Sequence, residues 1–337
     1  MASYSPICEF ACKLRPVKDK PFLNKFKKPS SYCGLVLVFI TQAMTQTGCD
    51  IGKLTVNTTS KVLQRGQPAI KQEPDYLLAE RAIPASLKTV EAFHMVAPDN
   101  GRLKSILAEG FCQYASGFIE DEWEVAQIKR DFEGIEEHSV RASKSFIRCM
   151  GYGAEMVSDT FIQTLWGDTA AYLQKVKDLG PKHRNGLMWA SIGLAGMINH
   201  NKDDQNVISH LTKAKETLEM IVAWDDASPP KDSVYQALPH LALGLAKTAL
   251  SKEFNGDPEG GRKHFERALA LTENKFLLAK VYLARRYAVA VQNNELFKKA
   301  LVEVLQTDPA IWPEQRLANE IAHRRAKRYL KQEKEWF

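Results

Sequence analysis

The sequence lacks the signals of several large protein classes. Its run Gly34–Ile40 falls well short of the roughly 20 apolar residues that a membrane-spanning helix takes, which argues against a polytopic membrane protein. Alternating apolar runs closed by Asn-Gly or Asp-Gly hairpin turns are missing. Asn100-Gly101 and Asn255-Gly256 fall between helical stretches instead, so strand content should be near zero. There is no nucleophile elbow, P-loop, dinucleotide fingerprint or zinc spacing, so no catalytic residue, cofactor or metal site is assigned and the chain reads as a non-enzyme. The net charge of +6 over 337 residues is also less than it looks. Residues 1–48 carry seven basic and two acidic groups, which leaves the remainder almost neutral and without a basic footprint for nucleic acid. A 45% hydrophobic and 26% charged composition is ordinary for a soluble globular body.

The N-terminal charge has a purpose of its own. Lys25, Lys27 and Lys28 precede Gly34–Ile40, which fades into Gln46-Thr47-Gly48-Cys49. Positive, then apolar, then small is the order of an export signal. The ending resembles a bacterial lipobox, with Gln46 where an aliphatic residue is usual. Residues 1–48 are therefore read as a lipoprotein-type signal peptide with a long basic leader, and Cys49 as the acylated residue; an uncleaved apolar anchor or a buried helix is the alternative. Residues 49–75, with Pro68, Pro74 and no sustained period, read as a flexible tether. Of six cysteines only Cys112 and Cys149 lie in the body. An oxidising compartment permits a disulfide between them, while the helical pattern around each favours two separate buried thiols.

From residue 76 to 337 apolar residues recur at three and four, as in Leu296, Ala300, Leu301, Val304 and Leu305, the mark of amphipathic helices. Pro98-Asp99-Asn100-Gly101, Gly180-Pro181, Ser228-Pro229-Pro230, Asn255-Gly256-Asp257-Pro258 and Asp308-Pro309 break the pattern, giving about twelve helices. Asp257-Pro258 reads as an N-cap followed by a first-turn proline. Helix pairs spaced near 34 residues, with small residues at the crossings, indicate tetratricopeptide-like hairpins. Trp189, Ile192 and Gly193 fit one unit, Gly261, Phe265, Ala268 and Leu269 another. The fit is poor over 120–185. The expected fold is an all-α, tetratricopeptide-like solenoid with irregular insertions, whose stacking leaves a concave surface for binding.

Several residues invite sharper readings. His183, His200, His210, His240 and His264 suggest a metal, but no pair stands at helical spacing with a carboxylate partner, and His240 among leucines reads as a core residue. Glu120–Glu124 suits a helix start, and Arg324, Arg325, Lys327, Arg328 and Lys331 suit the end of the last helix.

The C-terminal half carries an ordered set of motifs. His240-Leu241-Ala242-Leu243-Gly244 is followed by Gly256-Asp257-Pro258-Glu259, His264-Phe265-Glu266-Arg267-Ala268-Leu269, Lys275–Val281 beginning Lys275-Phe276, and Arg316-Leu317-Ala318-Asn319. This order resembles the T-component family of tripartite ATP-independent periplasmic (TRAP) transporters over residues 75–337; Ser251–Phe254 departs from it. The resemblance implies a periplasmic, helical, lipid-anchored accessory that associates with the transporter's solute-binding protein. A hydrophobic small molecule in the groove and self-association into a homo-oligomer also accord with such a body. Its motif positions here are Trp189, His240, Gly244, Phe265, Ala268, Phe276 and Asn319, either structural or at an interface. A general envelope lipoprotein scaffold, unconnected with transport, is the other reading.

Overall fold

The computed structural model describes residues 51–249 and 256–337; Cys49 and the signal segment lie outside them. All the regular structure among the described residues is helical. The order is α1 (Ile51–Lys71), α2 (Tyr76–Val96), α3 (Gly101–Tyr114), a π-helical turn (Ala115–Ile119), α4 (Glu120–Lys129), α5 (Phe132–Glu155), α6 (Thr169–Leu179), α7 (Arg184–Asn199), α8 (Leu211–Ala227), α9 (Ser233–Lys247), α10 (Pro258–Leu271), α11 (Leu277–Tyr282), a second π-helical turn (Leu283–Ala288), α12 (Asn294–Gln306) and α13 (Arg316–Lys331). Single helical turns at Phe161–Thr164 and Gln205–Ile208 fill connections, and another, Glu333–Trp336, follows α13. The all-α class expected from the sequence is what the chain adopts.

The breaks are chemical. Asp75, Asn100, Asp131, Asp168, Asp232, Asp257 and Asn293 each accept a hydrogen bond from a backbone N–H of the first turn that follows. Those donors have no partner inside their own helix, so a short oxygen-bearing side chain fixes where each helix starts. Gly180 ends α6 with φ of +66°, a left-handed value that glycine takes without a Cβ clash.

Helices adjacent in sequence pack on one another: α2 on α3, α7 on α8, α8 on α9, α9 on α10. The tightest crossing joins α5 to α7. A Cβ on Gly193 would lie 2.5 Å from the backbone N of Met150, and one on Gly153 would lie 2.5 Å from that of Ala190. Backbone can approach backbone so closely only where the residue facing it carries no side chain. Gly244 has the same task at α9, where an added Cβ would strike the Phe265 ring at 2.4 Å.

Two readings of the sequence are corrected. Residues 51–71, inside the segment expected to be a tether, form α1. Val56 and Ser60 are buried, and Asn100 Nδ2 donates to Asn57 Oδ1 (2.7 Å) and Ser60 Oγ (3.0 Å). The segment's polar, β-branched composition gives little helix signal on its own; contacts with α2, α3 and α13 hold it. Cys112 and Cys149, expected as separate thiols, form a disulfide between α3 and α5. Both lie on facing sides of two packed helices, where Ser145 Oγ also donates to the Phe111 carbonyl at 3.0 Å.

The array also turns back on itself. Helix α13 packs against α1 and α2 as well as α11 and α12. The acidic start of α4 and the basic stretch of α13, read as independent helix-end features, meet here. Asp121 is fully buried and lies 2.6 Å from Arg324 Nε, 2.7 Å from Arg328 Nη2 and 3.5 Å from Arg325 Nε.

Candidate functional site

Closure leaves an apolar groove of about 180 Å³ between the first and last helices. Ile70 of α1, Ile83 of α2, and Phe118 of the first π turn form one wall. Trp189 and Ile192 of α7 meet Val234, Leu238, Leu241, Ala242 and Leu245 of α9 along another. Phe276, Leu278, Leu317 and Ile321 complete it. Cys112 lines the groove, so the disulfide pins the wall that α3 contributes.

Polar groups are few and mostly engaged. Lys71 Nζ, at the edge, pairs with Glu109 Oε1 at 2.6 Å, and Tyr235 donates its hydroxyl to the other Glu109 oxygen at 2.5 Å. Tyr282, at the far side, accepts from Arg325 Nη1 at 3.0 Å. The exception is Trp189, whose buried indole N–H has no hydrogen-bond partner among the described residues. A buried donor left unmade costs about 1–3 kcal/mol, so an oxygen on a bound molecule would gain from meeting it. The arrangement can shelter an apolar molecule and offer one or two hydrogen bonds. It holds no nucleophile with a base, and no group of three His, Cys, Asp or Glu side chains is placed to hold a metal among the described residues.

The sequence profile of the TRAP transporter T-component matches residues 72–337, nearly the whole described body. The chain belongs to the TRAP transporter T-component family. No curated protein matches the sequence. No described helix is long and apolar enough to cross a membrane.

The family motif positions divide sharply in this T-component. Trp189 and Phe276 line the groove. Gly244, Phe265 and Ala268 make the α9–α10 crossing, with Phe265 and Ala268 fully buried. Asn319 is a clamp: its Oδ1 accepts from Leu277 N at 3.0 Å, and its Nδ2 donates to the carbonyls of Lys275 (3.0 Å) and Pro309 (3.2 Å). It therefore satisfies the backbone around the start of α11. His240 is buried, as its leucine neighbours indicated, but it is not alone. Its Nδ1 lies 2.9 Å from Nδ1 of His264. Burial, then the neighbouring His264, lowers the His240 pKa to about 4, and burial lowers that of His264 as well, so both rings are neutral at neutral pH and a single Nδ1–H bridges the two Nδ1 atoms. His183, His200 and His210 stay apart from it, His200 on Glu120 at 3.1 Å and His210 beside Lys213 Nζ at 3.0 Å.

The α1 contribution to the groove escaped the sequence reading because residues 51–75 carry no clear period. The partners Asp121 and Arg324 stand 203 residues apart, and no local pattern joins them.

Proposed function

We propose that this T-component is a periplasmic accessory that docks the solute-binding protein of its TRAP transporter and holds an apolar solute in the groove while the two are associated. The observation that carries the reading is the groove itself, almost wholly apolar and walled by helices from both ends of the described body. Apolar surface of that kind, with a few convergent polar groups, is how proteins shelter small molecules. Its small volume for so many lining helices suits a slender, chain-like solute. The disulfide agrees with an oxidising compartment such as the periplasm.

Attachment to the membrane through lipid on Cys49 belongs to the same proposal. Helix α1 begins at Ile51, one residue, Asp50, beyond that cysteine, and itself bears basic side chains and no acidic one. Such a helix would rest favourably over anionic head groups, while the tetratricopeptide-like stacking presents helical surface to a protein partner.

Two experiments test this. The neutral apolar dye N-phenyl-1-naphthylamine should brighten on binding the wild-type chain, and Ala242→Trp, which fills the groove, should weaken binding at least tenfold. Equal brightening in both would refute the groove. Co-purification with the solute-binding protein encoded beside the permease genes tests docking, and its failure with both purified proteins in excess would refute that part alone.

A further inference from the structure

A second cavity, of about 210 Å³, lies away from the groove. Trp123 and Ile128 of α4, Arg285 and Arg286 of the second π-helical turn, Tyr329 of α13 and Trp336 enclose it. Successive residues on an α-helix diverge by about 100°, yet both arginines line the same cavity here, on a wider π turn of the kind that recurs at functional sites.

The charges around this cavity do not balance. Glu124, also in the wall, is already engaged: it accepts from the Tyr329 hydroxyl at 2.8 Å and 2.7 Å and pairs with Arg328. Glu120 is committed to His200 at 3.1 Å and Asn199 at 3.2 Å. Arg286 repels both Arg285 and Lys202, and none of the three has a carboxylate within ion-pair distance among the described residues. The Arg285 guanidinium is instead held over the Trp336 ring, 4.1 Å from its centroid. Burial, then Arg286, lowers the Arg285 pKa, and the more distant Glu124, already paired with Arg328, offsets this only in part.

A stacked guanidinium offers its fork of N–H donors edge-on, which matches a planar carboxylate. Indole and phenol rings on either side match an organic body rather than a hydrated inorganic ion. The space is below the roughly 300–1,000 Å³ of pockets for drug-sized ligands, so the occupant is small. We propose that this cavity is a second ligand site, taking a small free organic carboxylate whose head group meets Arg285 and Arg286 and whose apolar body lies against Trp123 and Trp336. The site stands independently of the transport reading.

Isothermal titration of the full chain tests it, with phenylacetate as the probe and phenylacetamide, inorganic phosphate and N-acetylphenylalanine as comparisons. Phenylacetate should bind saturably at one site, more tightly than N-acetylphenylalanine, the analogue of a peptide C-terminus. The uncharged amide and phosphate should give no binding over the same range. Arg286→Gln should weaken phenylacetate at least tenfold with an unchanged melting temperature, and Arg286→Lys less. Arg285→Gln should do the same; if losing the Trp336 stack unfolds it, Arg286→Gln, with no ring partner among the described residues, carries the test. The proposal is overturned if phenylacetate does not bind, if the amide, phosphate or N-acetylphenylalanine binds as well, or if Arg286→Gln keeps wild-type affinity.

Discussion

Replacing Asp121 by Asn should cost about 3–5 kcal/mol, the usual loss when one member of a buried ion pair is removed. The size follows from what is left behind. Arg324 keeps Glu122 at 3.2 Å and its side chain is 40% exposed, so water absorbs its charge. Arg328 keeps Glu124. Arg325 is 2% exposed in its side chain and retains only neutral hydrogen-bond partners, the Tyr282 hydroxyl and the Ser116 carbonyl. Most of the cost should therefore fall on Arg325, left with the more distant Glu124, itself paired with Arg328, as its counter-charge. At about 2 °C per kcal/mol for a body of this size, the melting temperature should fall by roughly 6–10 °C. Scanning calorimetry at pH 7 reads the shift directly. Double-mutant cycles with Arg325→Gln and Arg324→Gln read its source: the coupling of Asp121 to Arg325 should be the larger, and that to Arg324 under about 1 kcal/mol. Acidity offers a second check. Burial pushes the Asp121 carboxyl up, but the arginines, Arg325 foremost, outweigh it and hold the group below its ordinary value. With the folded pKa below the unfolded value of about 3.9, this stabilisation is complete above that pH and is lost as pH falls through the folded value. The variant should lack that part of the acid transition. A variant melting within 1 °C of wild type, with the same acid limb, would refute the reasoning.

Other outcomes follow from the same geometry. Gly193→Ala should destabilise by about 1–3 kcal/mol through overpacking, because its Cβ meets Met150 backbone, whereas Gly151→Ala, with open space around it, should be neutral or gain up to about 1 kcal/mol of helix propensity; equal effects in denaturant titration would contradict the close crossing. Reducing the disulfide, which closes a 37-residue separation, should cost about 4 kcal/mol and roughly 8 °C, and calorimetry unchanged by dithiothreitol, with Cys112 and Cys149 shown reduced by mass spectrometry, would count against it. His240→Phe should flatten the stability profile in mild acid. With a folded pKa of about 4 against about 6.5 unfolded, the neutral imidazole stabilises above pH 6.5 and that contribution is lost as pH falls toward 4. An unchanged slope between those values would argue against the buried pair.

Much of the fold was legible where chemistry is local. Asp257-Pro258 announced a helix start, and Pro98-Asp99-Asn100-Gly101 a break, because an N-cap needs only its own next three residues. Gly193 and Gly261 announced crossings because small residues spaced between larger ones have few other uses, whereas Gly244 was marked by motif alone. What depended on distant partners was not legible. Helix α1 is weak alone and is held by Asn100 and α13. The disulfide required knowing which faces of α3 and α5 turn toward each other. Glu120–Glu124 and Arg324–Arg328 were both visible as charged stretches, yet nothing local says that each is the other's counter-ion. The groove inherited those gaps: Trp189 and Phe276 were marked by motif, while Ile70 and Ile321 enter it only through closure.

Closure also bears on how this protein is made. An open stack of helical hairpins can order piece by piece as the chain emerges, since each unit needs only its neighbour. Here Asp121 must wait some two hundred residues for Arg324 and Arg328, and contacts across so long a stretch form late. A nascent chain is thus held half-finished until its final helix arrives, with a carboxylate and an apolar trough uncovered in the meantime. A premature stop before residue 324 would release a product that proteases can recognise as incomplete.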